Sequence, residues 1–440
     1  MRFFKTIQNI FAIEELRTRI FNTIGFIIIY RIGSYILLPG VNYEVIQNQS
    51  TEGILGLLDN FLGGAFSNKA IFGLGIMPYI SASIVLQLMQ IAIPYFQRLQ
   101  KEGESGRKKI TQITRVLTIV ICAFQSIGFT ALVVSDGALL PGVDPTFFRI
   151  YGGLILIAGT MFCMWIGEKI TEKGVGNGIS MLIMVGIISR LPASLFVEFM
   201  DKNVDGALFL LLELVVLFFI VMAVVMLTQA TRRIPVSYAK QIVGNKVHGG
   251  QRQYIPLKVN TAGVMPIIFA QALLFVPGMV IGFIGADNET LSGFIQVLTS
   301  PNSWGYNIAS AVLIVLFTYF YTAITLNPNQ IADDLKRNGG FVPGIKPGAP
   351  TADYIDSVLS KITLPGALFV AFIAILPAFA FNLNVHQQFA AFFGGTSLLI
   401  MVGVVLDTLQ QIESYLLMSQ YEGMMKSGKL KGRNQTMAMA

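Results

Sequence analysis

The feature that most constrains this chain is an apolar stretch that is too short to cross a membrane. Residues 54–66 (ILGLLDNFLGGAF) are rich in leucine and glycine, and a full-length apolar stretch, residues 71–93, follows almost at once. As a helix, the short stretch would reach roughly 20 Å, whereas the hydrocarbon core of a bilayer is about 30 Å thick. Short segments of this kind usually line a cavity or a pathway inside a membrane protein. The pattern therefore favours a channel or a carrier over a membrane-anchored enzyme.

The composition indicates a protein that crosses the membrane many times. Of the 440 residues, 54% are hydrophobic and only 12% are charged, which is about half the charge of a soluble domain. Long apolar windows predict an all-α bundle of ten spans. The predicted spans lie near residues 20–38, 71–93, 113–134, 149–168, 179–192, 207–229, 262–284, 306–327, 362–382 and 391–412.

The loops between the predicted spans alternate in charge. The second, sixth and eighth loops and the C-terminal tail are rich in lysine and arginine, while the third, seventh and ninth loops contain neither. By the positive-inside rule, the even-numbered loops and both termini are predicted to be cytoplasmic. Residues 1–20 mix charged and apolar side chains without a small-residue cleavage site, so we expect an amphipathic surface helix rather than a signal peptide.

The number of predicted spans suggests two related halves. Five spans precede a linker at residues 193–206 and five follow it, so the halves 1–192 and 207–440 should have opposite topology. This arrangement predicts an inverted repeat with a pathway between the halves. A secondary transporter would also have two inverted halves with equal numbers of spans, whereas a passive scaffold for membrane assembly would not need the short segment.

The basic loops 229–261 and 328–361 are longer than orientation requires, and we predict that they dock a partner.

The sequence offers little material for catalysis. Cys122 and Cys163 lie in apolar segments, and His248 and His386 lie far apart in predicted loops. These four residues predict neither a metal site nor an activated nucleophile. The glycine-rich stretch 173–180 (KGVGNGIS) has no preceding strand and no Gly-Lys-Ser/Thr, so it predicts a tight loop rather than a phosphate site. We therefore expect a protein that is not an enzyme and needs no cofactor.

A few polar residues lie inside the predicted spans, where they are costly and informative. Arg31, Glu213 and Asp407 either pair as structural ions or serve proton coupling, and the lack of a repeated acidic pattern favours the structural role. Gln87 and Gln125 are uncharged and can hydrogen-bond between helices at roughly 1 kcal/mol or less. That energy suits a contact that must sometimes open.

Isoleucines at four-residue spacing mark two of the spans. Ile76 and Ile80 lie in the second span, and Ile179 and Ile183 lie at the start of the fifth. Residues four apart share one helical face. Such residues usually pack or face lipid, and the alternative is a hydrophobic constriction that seals a pore by dewetting. Spacing alone leaves both interpretations open.

Six long blocks of sequence carry a family resemblance. In chain order they are GIMPYISASIVLQLM (75–89), KEGESGRKKITQITR (101–115), GTMFCMWIGEKITEKGVGNGIS (159–180), PLKVNTAGVMPIIFA (256–270), NPNQIADDLKRNGGFVPGIKPG (327–348) and FGGTSLLI (393–400). Together they resemble the SecY family, the pore subunits of bacterial protein-conducting channels, over residues 14–433. The resemblance implies ten transmembrane helices in two inverted halves around an hourglass pore. It also implies that the chain conducts unfolded polypeptides across the bacterial inner membrane and releases transmembrane segments laterally into the bilayer.

The resemblance also implies roles for individual residues. The family's pore ring corresponds to Ile76, Ile80, Ile179, Ile183, Ile268 and Ile400. The plug, a short segment that blocks the pore at rest, corresponds to residues 54–68, including Ile54, Leu57, Leu58, Phe61, Gly63 and Gly64. Spans two, three, seven and eight would form the lateral gate, at or near Ser81, Gln87, Gln125, Asn260 and Val276. The motor and ribosome docking surface would include Arg232, Arg233, Lys246, Lys336 and Lys346.

The partners of this chain are likewise implied by the resemblance. SecE and SecG would be resident subunits, and the SecA ATPase and the ribosome would dock on the sixth and eighth loops. SecDF and YidC would be accessory partners, while signal sequences and unfolded polypeptides would be the cargo. The chain departs from the family at Lys346, where arginine is usual, and at the loop tip 244–246, which carries less arginine than in relatives. Lysine keeps the charge but loses the planar fork that binds carboxylates bidentately.

Overall fold

The computed structural model describes residues 11, 13–47, 56, 59, 62–202, 207–238, 241–243, 246–248, 252–271, 273–274, 297, 303–383 and 385–426. Long helices dominate these residues. The helices are α1 (Glu14–Gly33), α2 (Tyr43–Gln47), α3 (Met77–Ala92), α4 (Pro94–Lys101), α5 (Glu104–Ser135), α6 (Pro145–Lys173), α7 (Gly178–Asp201), α8 (Ala207–Gln229), α9 (Trp304–Thr325), α10 (Pro328–Arg337), α11 (Ala349–Asn382), α12 (Gln387–Ala390) and α13 (Gly395–Lys426). Residues 265–271 are also helical.

The strands of the described residues all lie in the two long basic loops. They are β1 (Thr231–Tyr238), β2 (Gln241–Val243), β3 (Lys246–His248), β4 (Arg252–Lys258) and β5 (Gly340–Phe341). One antiparallel sheet has the order β4-β1-β5, and β2 pairs with β3 in a separate two-stranded sheet. Within the first sheet, Ile234 lies opposite Ile255, and Ser237 lies opposite Phe341. The sheet therefore joins the sixth loop to the eighth loop.

The helix lengths confirm an all-α membrane protein. Among the described residues, seven helices are long and apolar enough to span a bilayer: α5, α6, α7, α8, α9, α11 and α13. The helices α3 and α4 pass the same test only when they are taken together, and the pair bends by 100° at its break. The first predicted span, 20–38, coincides largely with α1, which ends at Gly33. The seventh, 262–284, begins with the helical residues 265–271 and continues outside the described residues.

Two predicted span boundaries were wrong. Residues 71–76 form turns, and α3 begins at Met77, because Gly73 and Gly75 precede it and Pro78 favours a helix start. Helix α7 continues through Pro192 to Asp201, so most of the predicted linker 193–206 is helical. The eighth loop is also largely structured, since α10 fills residues 328–337 and α11 begins at residue 349. The division of the chain into two halves remains a prediction.

Helix α7 joins the two parts of the bundle. It packs against α6 on one side and against α12 and α13 on the other. Its residues contribute to two apolar clusters, one formed with α1, α3 and α6 and the other with α13 and residues 385–393. Helix α8, by contrast, is apolar on all sides and largely exposed, as expected of a lipid-facing helix. The site described next lies along α7.

Candidate functional site

The six isoleucines of the predicted ring lie in two apolar clusters that share α7. Ile76 is buried in a cluster with Tyr30, Phe72 and Leu182, and Ile80 and Ile179 pack against it. Ile400 is buried in the second cluster, and Ile183 and Ile268 pack against that one. Ile179 and Ile183 are one turn apart on α7 and so connect the two clusters. The structure thus brings the isoleucines together around α7 in two groups of three rather than in one cluster.

The residues before α3 form an irregular stretch that we call the turn segment, residues 62–76. Its backbone consists mainly of turns. Leu62, Ala65 and Phe66 are buried in an apolar cluster with Phe129 and Val133 of α5. Phe66 and Phe129 meet edge to face with ring centroids 5.1 Å apart. The turn segment is therefore packed into the bundle without being part of a long helix.

Two glycines let the turn segment approach neighbouring helices closely. Gly63 and Gly64 have φ angles of 60° and 95°, which favour glycine. A Cβ added to Gly63 would lie 2.8 Å from the backbone of Gly186 on α7, and one added to Gly64 would lie 3.0 Å from the Arg190 guanidinium. Both positions were predicted as plug residues. The predicted plug residues Ile54, Leu57, Leu58 and Phe61 lie outside the described residues.

Charged side chains fix the turn segment at several points. Asp59 and Arg190 form an ion pair, and the Asp59 carboxylate also accepts hydrogen bonds from the backbone N–H and hydroxyl of Ser67, at 2.9 and 2.7 Å. Arg31 donates to the carbonyl of Gly63 at 3.2 Å. Further along the segment, the buried Lys69 ammonium lies 3.1 Å from the carboxylate of Asp136.

Sequence reasoning missed most of these charged contacts. Asp59 lies inside the short apolar stretch and Arg190 inside the fifth predicted span. Each is a charged residue in an apolar pattern, and that signal is visible in the sequence. Their pairing could not be inferred, because the two residues are 131 positions apart. Lys69 has the left-handed φ of 50°, which no sequence pattern indicated.

The intramembrane charges singled out from the sequence do not pair with one another in the described part of the chain. Glu213 of α8 pairs with Lys202, which also lies 2.7 Å from Glu198 at the end of α7. The buried Glu198 accepts a 2.8 Å hydrogen bond from the backbone N–H of His386. Asp407 is exposed. The contacts of Glu213 match the structural role, and they tie the end of α7 to α8 and to the residues before α12.

The predicted gate residues are distributed over neighbouring elements. Ser81 and Gln87 lie on α3 and Gln125 on α5, which packs beside it, while Asn260 is buried just before the helical residues 265–271. Gln87 Nε2 donates to Ser83 of its own helix at 3.4 Å rather than to another helix. Its Oε1 is buried and has no hydrogen-bond partner within the described residues. Val276 lies outside those residues.

Four of the five predicted docking residues lie on a folded unit that we call the docking platform: β1, β4, β5, α10 and residues 342–359. Its apolar core consists of Ile234, Val236, Leu257, Leu335, Val342, Ile355 and Leu359. Arg232 and Arg233 on β1, Lys336 on α10 and Lys346 in the following turn are exposed around this core. Lys246 lies apart from them on β3, opposite Val243. The carbonyl of Lys346 accepts a 2.8 Å hydrogen bond from Thr351, which fixes its turn to α11.

Comparison with known proteins assigns the chain to a family. The sequence model of the SecY family matches residues 70–409. The chain belongs to the SecY family. The protein translocase subunit SecY of Halalkalibacterium halodurans is 43% identical over 434 residues, which cover 96% of this chain and 100% of that protein.

The fold of the SecY family is also found among solved structures. A structure described as a protein conducting channel has a TM-score of 0.64 and 18% identity, covering 90% of this chain and 92% of its own. Sec61 in the canine ribosome–channel complex from the endoplasmic reticulum has a TM-score of 0.60 and 15% identity, with the same coverage. The predicted family and fold class are therefore confirmed, and the chain is a multi-pass membrane protein.

Proposed function

We propose that this chain is the central channel subunit of a Sec translocon, which conducts unfolded polypeptides across a membrane and releases transmembrane segments laterally into the bilayer. The observation that carries the proposal is the isoleucine lining around α7. Isoleucines from α3 and the residue before it, from residues 265–271 and from α13 lie with those of α7 in two apolar clusters that share this helix. An apolar constriction excludes water and ions at rest, while its side chains can rearrange around a passing chain.

The first part of the turn segment, residues 62–68, would form part of the plug, as predicted for residues 54–68. It packs beside the isoleucine lining, is irregular, and is held partly by polar contacts that water can replace. A resting seal of two layers, isoleucine ring and plug, follows from this arrangement. A secondary transporter would instead need convergent polar groups for a substrate near the middle of the membrane.

The lateral gate would open between α3 and α5 on one side and residues 265–271 and α9 on the other. Apolar segments of the cargo would leave through this opening because burial in lipid is favourable for them, whereas polar segments would stay in the aqueous path. Within the described residues Gln87 Oε1 has no hydrogen-bond partner, which suits such a surface, since this atom loses no hydrogen bond when the helices separate.

The energy for transport would come from partners. We propose that SecA and the ribosome dock on the basic rim of the docking platform and that SecE and SecG are resident subunits, with SecDF and YidC as accessory partners. The folded core of the platform supports this role, because it holds four exposed cations on one rigid unit. The chain itself would catalyse no covalent reaction and need no cofactor.

We further propose that the chain lies in the bacterial inner membrane with the docking platform and both termini in the cytoplasm. Cysteine labelling with a membrane-impermeant maleimide tests this orientation in a Cys122→Ala, Cys163→Ala background. Tyr254→Cys, at a position 55% exposed on the platform, should label only from the cytoplasm. Leu383→Cys, at a position 76% exposed beyond α11, should label only from outside. Labelling of Tyr254→Cys from outside would reverse the orientation.

The proposed function is tested by transport in proteoliposomes. The chain, purified with its resident subunits, should import a signal-bearing precursor into a protease-protected space when SecA and ATP are added. A precursor without its signal sequence is the matched control and should stay outside. Solute uptake driven by an ion gradient, without precursor transport, would instead identify a secondary transporter.

A further inference from the structure

We propose that Asp59, Ser67 and Arg190 form a latch that holds the turn segment against α7, and that the strength of this latch sets how readily the resting channel opens. The inference rests on the proposed function, because it treats residues 62–68 of the turn segment as part of the plug. It adds the contact whose strength sets the balance between the resting and displaced positions of that segment.

The geometry of the latch satisfies the carboxylate from two sides. Ser67 donates its backbone N–H to Oδ1 of Asp59 at 2.9 Å and its hydroxyl to Oδ2 at 2.7 Å. Arg190 pairs with Oδ2 and also donates to the Ser67 hydroxyl at 2.9 Å. The Asp59 side chain is only 5% exposed and that of Arg190 is 26% exposed. The pair therefore joins a nearly buried anion of the plug region to a partly hydrated cation of α7.

The position of Arg190 connects the latch to the ring. Arg190 follows Ile183 by seven residues on α7, which places it about 10 Å further along the helix axis at 1.5 Å per residue. Gly64 lies directly against the guanidinium, and Gly63 lies against the α7 backbone at Gly186. The turn segment thus rests on the same helix that supplies two isoleucines of the ring.

The latch is suited to release because its charges lose little when they separate into water. A buried ion pair contributes little net stability compared with two hydrated ions, whereas removal of one partner leaves a costly unpaired charge. Arg190 Nε is buried without a hydrogen-bond partner in the described part of the chain, so displacement of the turn segment would improve its hydration. A passing polypeptide that admits water to this region would release the latch, while a single substitution would destabilise the resting position permanently.

The test measures ion leak in planar bilayers containing the purified complex. Asp59→Asn is close in shape and removes the charge, and it should raise the resting conductance at least about tenfold. It should also allow export of precursors with weak signal sequences. Arg190→Gln should act similarly, and Arg190→Lys, which keeps the charge, should leak less than Arg190→Gln. Asp144→Asn is the matched control, because Asp144 caps α6 and asparagine caps equally well; it should leave conductance unchanged.

A double variant separates a latch from a general loss of stability. With Asp59→Asn and Arg190→Gln together, no unpaired charge remains, so the leak should be no larger than that of Asp59→Asn alone. A leak equal to the product of the two single effects would overturn the latch. Unchanged conductance in Asp59→Asn would also overturn it, provided that Ile80→Ser with Ile183→Ser leaks in the same preparation. Unchanged conductance in Asp59→Asn would leave the proposed function intact as long as the isoleucine variant leaks. A complex that neither transports precursor nor leaks in any variant would contradict both the latch and the proposed function.

Discussion

The turn segment is held by apolar packing together with charged contacts, whereas the docking platform is held by an apolar core of its own. The turn segment is irregular; Ser67 joins it to the Asp59–Arg190 pair, and Lys69 pairs with Asp136. The platform has paired strands, two helices and an apolar core of its own. Charged pairs can be exchanged for water at low cost, whereas an apolar core resists deformation because its contacts have no substitute in water.

This difference corresponds to what each region would do in the proposed channel. A plug must leave its position during transport and return afterwards, so replaceable contacts are appropriate. A surface that receives force from a motor must keep its shape, so a packed core is appropriate. Substitutions should therefore affect conductance at the turn segment and partner-driven transport at the platform, with little overlap.

The largest expected effect is on the rim of the platform. Lys346→Glu should abolish SecA-driven export while the protein remains folded and inserted, because Lys346 is exposed and only its charge is reversed. Lys346→Arg should be tolerated. Precursor transport into proteoliposomes measures both variants, and the resting conductance should not change in either. Normal export by Lys346→Glu would show that this turn is not the motor contact.

A smaller effect is expected in the platform core. Ile355 is 1% exposed there, and Ile355→Ala should lower the stability of the platform by about 2–5 kcal/mol through lost burial and a cavity. Limited proteolysis should then cleave β1 or β4 faster, and export should fall in parallel. Tyr254→Ala, at a site 55% exposed on the same sheet, is the control and should stay within about 0.5 kcal/mol. Increased ion leak in Ile355→Ala would show that the platform core also affects the resting conductance. That result would contradict the separate effects expected for the two regions.

The smallest effect is expected at the second charged contact of the turn segment. Lys69→Met keeps the length of the side chain but removes its ion pair with Asp136. Asp136 is 31% exposed and can be hydrated in place, so the resting leak should rise only a few-fold, less than in Asp59→Asn. Conductance recordings of the two variants side by side decide the order. A larger leak in Lys69→Met would place the main latch at Lys69 instead.

The sequence predicted the bundle well because hydropathy reports burial in lipid directly. The apolar windows at residues 207–229 and 306–327, for example, nearly coincide with α8 and α9. It predicted the docking loops by charge and length, but not their shared sheet, because the pairing of Ser237 with Phe341 is not local. The start of α3 was placed too early, since apolar character continues through Gly73 and Gly75 where helical structure does not.

The candidate site was only partly accessible from the sequence. The four-residue spacing of Ile179 and Ile183 indicated a shared face, but not whether that face meets lipid or other isoleucines; in the structure the two residues connect two apolar clusters. The latch was missed because an ion pair depends on side-chain positions that hydropathy does not encode. Asp59 and Arg190 looked like isolated charges in apolar surroundings, and only the fold brings them together.

The central claim is that the isoleucines around α7 seal the resting channel, and ion conductance tests it most directly. We would compare the wild-type complex with Ile80→Ser plus Ile183→Ser, using Ile188→Ser as the control because Ile188 lies on the same helix but is 40% exposed. Hydroxyl groups should wet the constriction and raise the resting conductance at least about tenfold, whereas Ile188→Ser should behave as wild type. A folded, inserted double variant with wild-type conductance would contradict the account, because these isoleucines would then only pack.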